Sequence, residues 1–288
     1  MQTLTRIAEL REIVNGWRLG RESIAFVPTM GNLHLGHASL MAAAHLHGRR
    51  VISSIFVNPM QFGPRDDLAR YPRPSARDRR LLERAGVDAL YRPSPAAMYP
   101  QGFDTAVEVG PRLTGGLCGR YRPGHFRGVT TVVAKLLNAV RPDEAFFGRK
   151  DAQQAVVIRR MALDLDTGVR ITVVPTVRER DGLAMSSRNA YLSPAERRSA
   201  PVIRRALIAG RKVALSGRKG AGTGAVKAAV RRVLAREPAV RVQYLELVDA
   251  DTLTPLAYPK GKVLLAVAAH LGRTRLLDNV VFTARRGR

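Results

Sequence analysis

The sequence predicts an α/β protein: a doubly wound parallel sheet followed by a smaller C-terminal α+β domain. Two observations carry this. Through about residue 176, apolar runs of strand length alternate with stretches of helical periodicity, the pattern of βαβ units and hence of a parallel sheet. After about residue 190 the order changes to helical stretches and then three strand-like runs in close succession. The expected domains are 1–176 and 177–288, the first carrying its sites at the carboxyl ends of its strands.

Taken in order, Leu4, Ile7, Leu10, Ile13, Val14 and Trp17 fall at helical spacing and predict a helix over 3–18. Ile24-Ala25-Phe26-Val27 reads as a buried strand stopped by Pro28. A glycine-containing turn leads to a helix starting near Gly36 or His37. Val51 to Val57 is a second strand, Ser75 caps a helix through Ala85, and Ala89-Leu90-Tyr91 is a short strand. Beyond a Gly- and Pro-rich stretch (110–124) come a helix over 128–140, a strand at Ala145-Phe146-Phe147, a helix over 151–164 and a strand from Arg170 to Val174. In the second domain, helices 194–215 and 223–236 flank the linker Ser216-Gly217-Arg218-Lys219-Gly220, and strands follow at 240–248, 262–269 and 275–283.

A chain of 288 residues with 45% hydrophobic residues can bury a sizeable core. No apolar run has the length of a membrane span, and Met1-Gln2-Thr3-Leu4-Thr5-Arg6 lacks the layout of a signal peptide. The single cysteine, Cys118, excludes an internal disulfide and a multi-cysteine metal site. A cytoplasmic address is expected. The net charge of +25 raises the question of a phosphate-rich partner. Yet the 48 basic residues include only 7 lysines, and the arginines are scattered without a basic arm or aromatic platform. Nucleic-acid binding is therefore not the expected primary role.

The first chemical signal is Pro28-Thr29-Met30-Gly31-Asn32-Leu33-His34-Leu35-Gly36-His37. A strand ends, the backbone turns on glycine, and two histidines stand three apart where a helix begins. Free N–H groups and the positive end of the helix dipole favour an anion there, and the imidazoles can bind phosphate oxygens. The plainer alternative is a pair of ordinary histidines at a helix start. The second signal is Ala184-Met185-Ser186-Ser187-Arg188-Asn189, two hydroxyls and a guanidinium in a loop suited to gripping a triphosphate. Its plainer alternative is a polar loop with a helix cap. Together the two resemble the signatures of the nucleotidyl-transferring superfamily, which splits ATP between its α and β phosphates, and imply its Rossmann-like nucleotidylyltransferase fold.

The segments between are more specific. Ser54-Ile55-Phe56-Val57-Asn58-Pro59-Met60-Gln61-Phe62, Tyr71-Pro72-Arg73, Arg122 through Val129, Phe147-Gly148-Arg149-Lys150-Asp151 with Gln153-Gln154, Val177-Arg178 through Tyr191-Leu192, and Leu276-Leu277-Asp278-Asn279 resemble the pantothenate synthetase family. The resemblance implies an ATP-dependent ligase that joins pantoate to β-alanine through an acyl-adenylate, with Mg²⁺ carried on the ATP phosphates and no dedicated metal site. It implies an ATP site from Met30, Gly31, Asn32, Leu33, His34, Leu35, Gly36, His37, Gly148, Arg149, Lys150, Asp151, Val177, Met185, Ser186, Ser187 and Arg188. His37 matches the family's proton donor, with His34 beside it; Lys150 offers a charge for the α-phosphate and Asp151 an acceptor for ribose. Gln61 and Gln154 match the glutamines that hold pantoate, Asn58 shapes that pocket, and the three together are the expected pantoate and β-alanine site. The smaller domain would close over the site and shield the adenylate from water, and the enzyme would be a homodimer.

Several positions depart from the family pattern. Leu35 and Cys118 stand where acids are usual, Ala152 replaces an aromatic, and Arg149 stands where the family typically has Glu. Either Arg149 points to solvent without consequence, or it changes substrate choice or weakens catalysis. Two rivals stay open: a sister acyl-adenylate ligase with another acid or amine, and a basic nucleic-acid-binding protein on a retired ligase fold.

Overall fold

Six short apolar strands, all parallel, form the first sheet: β1 (Gln2–Leu4), β2 (Ile24–Thr29), β3 (Arg50–Ile55), β4 (Ala89–Tyr91), β5 (Glu144–Gly148) and β6 (Arg170–Val174), in the order β1-β4-β3-β2-β5-β6. The computed structural model describes residues 1–46, 49–64, 67–71, 76–216 and 222–285. The expected cap Ser75, the motif residues Pro72 and Arg73, and linker residues Gly217 through Gly220 lie outside the described residues.

Both faces of this sheet are covered, as a parallel sheet requires. Ile24 and Phe26 of β2 point into one core with helices Ile7–Leu19 and His125–Val140; Ala25 and Val27 point into the other, with Leu40, Met41 and Ala44 of helix Leu35–His45 and Leu82 of helix Ala76–Arg84. The strand order reverses at β2, with β3 and β4 on one side and β5 and β6 on the other. Such a switch point leaves a crevice outside the carboxyl ends of the two strands that flank it. Here those ends are Thr29 and Gly148, each followed by one of the segments singled out in the sequence.

Two compact units are present: residues 111–118, 150–153 and 176–288 make one, and the rest of the described chain makes the other. The smaller unit carries three antiparallel strands, β7 (Val240–Asp249), β8 (Gly261–Leu271) and β9 (Thr274–Ala284), in sequential order. Ile203 and Leu207 of helix Val202–Leu215 and Val226 and Val230 of helix Thr223–Leu234 share a core with Leu245, Leu265 and Val267 of these strands. The fold class is the one expected. No helix among the described residues is long and apolar enough to cross a membrane.

Three elements differ from expectation. Residues 2–4 form β1, not the start of a helix, because they pair with β4 (Gln2↔Ala89, Leu4↔Tyr91); the helix begins at Ile7 behind an Arg6–Glu9 capping box. Strand β2 runs through Pro28 to Thr29: its ladder to β5 covers only Ala25 and Phe26, so a residue lacking N–H is tolerated beyond it. The long helix over 194–215 is two, Pro194–Ser199 and Val202–Leu215, divided at Pro201.

Candidate active site

The turn leaving β2 is built by hydrogen bonds from three directions. Thr29 Oγ1 donates to the Ser54 carbonyl at 2.7 Å and accepts the Gly31 N–H at 3.3 Å. Gly31 (φ 84°) and Asn32 (φ 50°) are left-handed, a conformation free for glycine and tolerated by asparagine. The carboxylate of Asp78, 2% exposed, then accepts the N–H groups of Asn32 (2.9 Å) and Leu33 (2.8 Å). Asp78→Ala is expected to lower stability by about 1.5–3 kcal/mol, the scale for hydrogen bonds to a charged group. The check is a lower urea midpoint at unchanged slope.

This turn delivers His34 as the N-cap of helix Leu35–His45. His34 Nδ1 accepts the Gly36 N–H at 3.1 Å, and His37 Nδ1 accepts the His34 N–H at 3.2 Å, with the ring centroids 4.2 Å apart. Since both Nδ1 atoms are acceptors, the hydrogen-bond pattern makes both rings neutral with the hydrogen on Nε2. Two N–H donors, three residues apart at the positive end of a helix, are an arrangement that favours an anion. Leu35 between them is 64% exposed and puts no charge there.

Asn58 and Gln61 are both buried, the first capping and the second ending a single helical turn (Pro59–Gln61) that follows β3. Asn58 Nδ2 donates to Gln61 Oε1 at 3.1 Å and to the Gly128 carbonyl at 3.0 Å; Gln61 Nε2 lies 2.9 Å from Met30 Sδ. The Gln61 carbonyl accepts from Arg122 (3.1 Å) and from His125 Nδ1 (2.9 Å). Helix His125–Val140 reaches this turn at Gly128, where a Cβ would overlap the Met60 carbonyl and lie 2.6 Å from the Gln61 nitrogen. Gly128→Ala is expected to cost about 1–3 kcal/mol of overpacking, seen as a lowered thermal midpoint. Gln154 is half-buried on helix Ala152–Asp164, and Gly148 and Arg149 are half-buried at the end of β5.

In the smaller unit, Lys150 is anchored by its own carbonyl, which accepts from Asn279 Nδ2 at 2.9 Å. Its Nζ lies 3.4 Å from Asp151 Oδ1. Gln153 is fully engaged: Nε2 donates to the Leu113 and Gly116 carbonyls, both at 2.9 Å, and Oε1 accepts the Cys118 N–H at 2.8 Å. It closes the glycine-rich loop. Met185 N–H pairs with the Val177 carbonyl (3.0 Å) at the open end of a hairpin, and Arg178 forms a two-pronged ion pair with Asp278 at 2.7 and 2.9 Å. Arg197 clamps Glu179 and Asp181 on the same hairpin, and Asn189 Nδ2 donates to Glu179 at 2.8 Å. This frame holds Met185, Ser186, Ser187 and Arg188, all half-buried, with Ser186 Oγ accepting the Arg188 N–H at 3.2 Å. Cys118 Sγ lies 3.2 Å from the Tyr244 hydroxyl and 3.4 Å from Arg275; burial, and Cys118 beside it, push the Tyr244 phenol upward.

The family profile described as pantoate-beta-alanine ligase matches residues 2–281. The chain belongs to this family. Pantothenate synthetase from Moorella thermoacetica is 52% identical over 281 residues, covering 98% of each chain, and pantothenate synthetase 1 from Bradyrhizobium diazoefficiens is 51% identical over 290 residues, covering 98% and 99%. The crystal structure of pantothenate synthetase from Thermus thermophilus superposes with a TM-score of 0.91 at 47% identity, over 97% of this chain and 99% of that one. A pantoate-beta-alanine ligase from Francisella tularensis, described as complexed with beta-gamma ATP and beta-alanine, gives a TM-score of 0.78 at 32% identity over 98% and 97%. Within this pantoate–β-alanine ligase, the larger unit pairs His34 with His37 and joins Gln61 to Asn58 and Met30, and the smaller unit pairs Lys150 with Asp151 and ties Met185 to Val177. Sequence reasoning missed Asp78, which holds Asn32 and Leu33, and Tyr99, whose hydroxyl donates to Asn58 Oδ1 at 2.7 Å; in both cases the partners are distant in sequence. The signal for Asp78 was slight: a lone acid among Arg77, Arg79 and Arg80 at a helix start.

Proposed function

We propose that this chain makes pantothenate in two steps, with the His34–His37 pair as the group that receives the ATP phosphates. The supporting observation is that both Nδ1 atoms accept backbone N–H groups, which puts each ring's hydrogen on Nε2 at a helix N-terminus. In the first step a carboxylate oxygen of pantoate bonds to the α-phosphorus of ATP as the bond to the β-phosphate oxygen breaks. Pantoyl-adenylate forms and pyrophosphate leaves. Charge grows on the phosphate oxygens, and hydrogen-bond donors stabilise it. His34, His37, Lys150 and the loop from Met185 to Arg188 supply those donors, and Asp151 accepts from ribose. Mg²⁺ enters with ATP as part of the substrate and draws charge from the phosphates.

In the second step the amine of β-alanine attacks the acyl carbon, the bond to the AMP oxygen breaks, and the nitrogen loses a proton. No protein nucleophile takes part. Gln61, Gln154 and Asn58 hold the pantoate portion. A homodimer in the cytoplasm completes the proposal, the assembly being readable by light scattering. The chemistry is tested by AMP release with Mg-ATP and pantoate, with and without β-alanine. AMP and pantothenate formed one-for-one are expected; no pantoate-dependent ATP cleavage would sink the assignment.

A further inference from the structure

A glutamine amide can meet a ligand with either end, and the end that Gln61 presents is decided by groups behind it. Two backbone atoms orient Asn58: the Met60 N–H donates to Oδ1 at 3.2 Å, and Nδ2 donates to the Gly128 carbonyl at 3.0 Å. Turning that amide over would set N–H against N–H and oxygen against oxygen. The Tyr99 hydroxyl, 2.7 Å from the same Oδ1, is therefore a donor and fills the second lone pair of that oxygen. The remaining Nδ2 hydrogen goes to Gln61 Oε1 at 3.1 Å. Gln61 thus has its oxygen engaged toward Asn58. Its Nε2 carries two hydrogens, and the contact it makes, Met30 Sδ at 2.9 Å, is a weak acceptor.

We propose that Tyr99 is a positioning residue for pantoate binding: through Asn58 it fixes the Gln61 amide as a hydrogen-bond donor, so this position selects an acceptor oxygen on the substrate. The phenol ring is held by Phe56 (centroids 6.0 Å apart) and Phe103 (5.0 Å), and Asn58 is 1% exposed. Without the hydroxyl, Asn58 Oδ1 keeps one donor in place of two, and the rotation of both amides is less restrained. The loss falls mainly on one substrate, because Tyr99, Asn58 and Gln61 lie outside the turn that carries the histidines, which Gln61 meets at Met30 Sδ.

Because Gln61 is assigned to pantoate through the ligase proposal, wild-type protein is assayed first, by initial rates of AMP formation with each substrate varied in turn. Tyr99→Phe is then expected to raise the pantoate KM about 3- to 10-fold, the loss of one net hydrogen bond. Its kcat and its KM values for ATP and β-alanine are expected to stay within about twofold, an effect below the net hydrogen-bond scale. Gln61→Glu keeps an oxygen for Asn58 but offers the ligand an acceptor, and is expected to raise the pantoate KM more than Tyr99→Phe does. An active wild type with an unchanged pantoate KM in Tyr99→Phe overturns the positioning role alone. A parallel rise of all three KM values, the mark of a general structural loss, does the same. Undiminished pantoate binding by Gln61→Glu overturns the donor assignment. A wild type without pantoate-dependent AMP formation overturns the ligase proposal and this one together.

Discussion

His37→Asn is expected to slow pantoate-dependent AMP release by about 10²–10³-fold, the effect of deleting one preorganised donor at a site of developing negative charge. The asparagine oxygen can take over the bond from the His34 N–H, now 3.2 Å from Nδ1, so the helix start persists. What it cannot supply is the Nε2–H. Stability should therefore change by less than about 1 kcal/mol while the rate collapses, since a capping contact is conserved. Single-turnover formation of the adenylate, followed by pyrophosphate release, isolates the step. A rate within fivefold of wild type would remove His37 from the phosphate site.

Asp278→Asn should produce the largest loss of stability, about 3–5 kcal/mol, the scale on which breaking one side of a buried ion pair is felt. Asp278 is 4% and Arg178 is 19% exposed in their side chains, and the substitution removes the balancing charge and one of the two acceptor oxygens. Arg178 also donates to the Gly182 carbonyl at 3.1 Å, and Asp278 Oδ1 accepts the Asn279 N–H at 2.7 Å. The hairpin that frames Met185 through Arg188 therefore loosens with the pair. Urea unfolding gives the stability, and a rise in the ATP KM reports the loop. Removing both charges together, as Arg178→Met with Asp278→Leu, should recover much of the stability but not the ATP KM.

The elements that the sequence made legible are those whose pattern is local. Strands β5 and β6 and the helix over 152–164 announce themselves through runs such as Ala145-Phe146-Phe147 and through apolar periodicity. What escaped depends on pairing partners far along the chain. Leu4 looks helical by spacing, yet it is a strand residue because Tyr91 lies beside it. Pro28 looks like a stop, yet the ladder on one side of β2 has already ended at Phe26. The site divides the same way. His34, His37, Gln61 and Lys150 could be picked out from motifs, whereas Asp78 and Tyr99 act through contacts that no spacing reveals. Gln153 and Gln154 stand side by side in sequence, and only the structure separates the one that closes a loop.

The pairing of β1 with β4 also bears on how the chain reaches this form. Gln2 must find Ala89, and only three residues a side make the bond, at the sheet's edge. By contrast, β7, β8 and β9 join sequence neighbours over long antiparallel ladders. Closing a long loop costs entropy before any contact repays it, so the C-terminal meander should assemble early and the N-terminal strand dock late. In native-state hydrogen exchange, the amides of residues 2–4 should then lose protection first, through openings that leave the rest of the sheet intact.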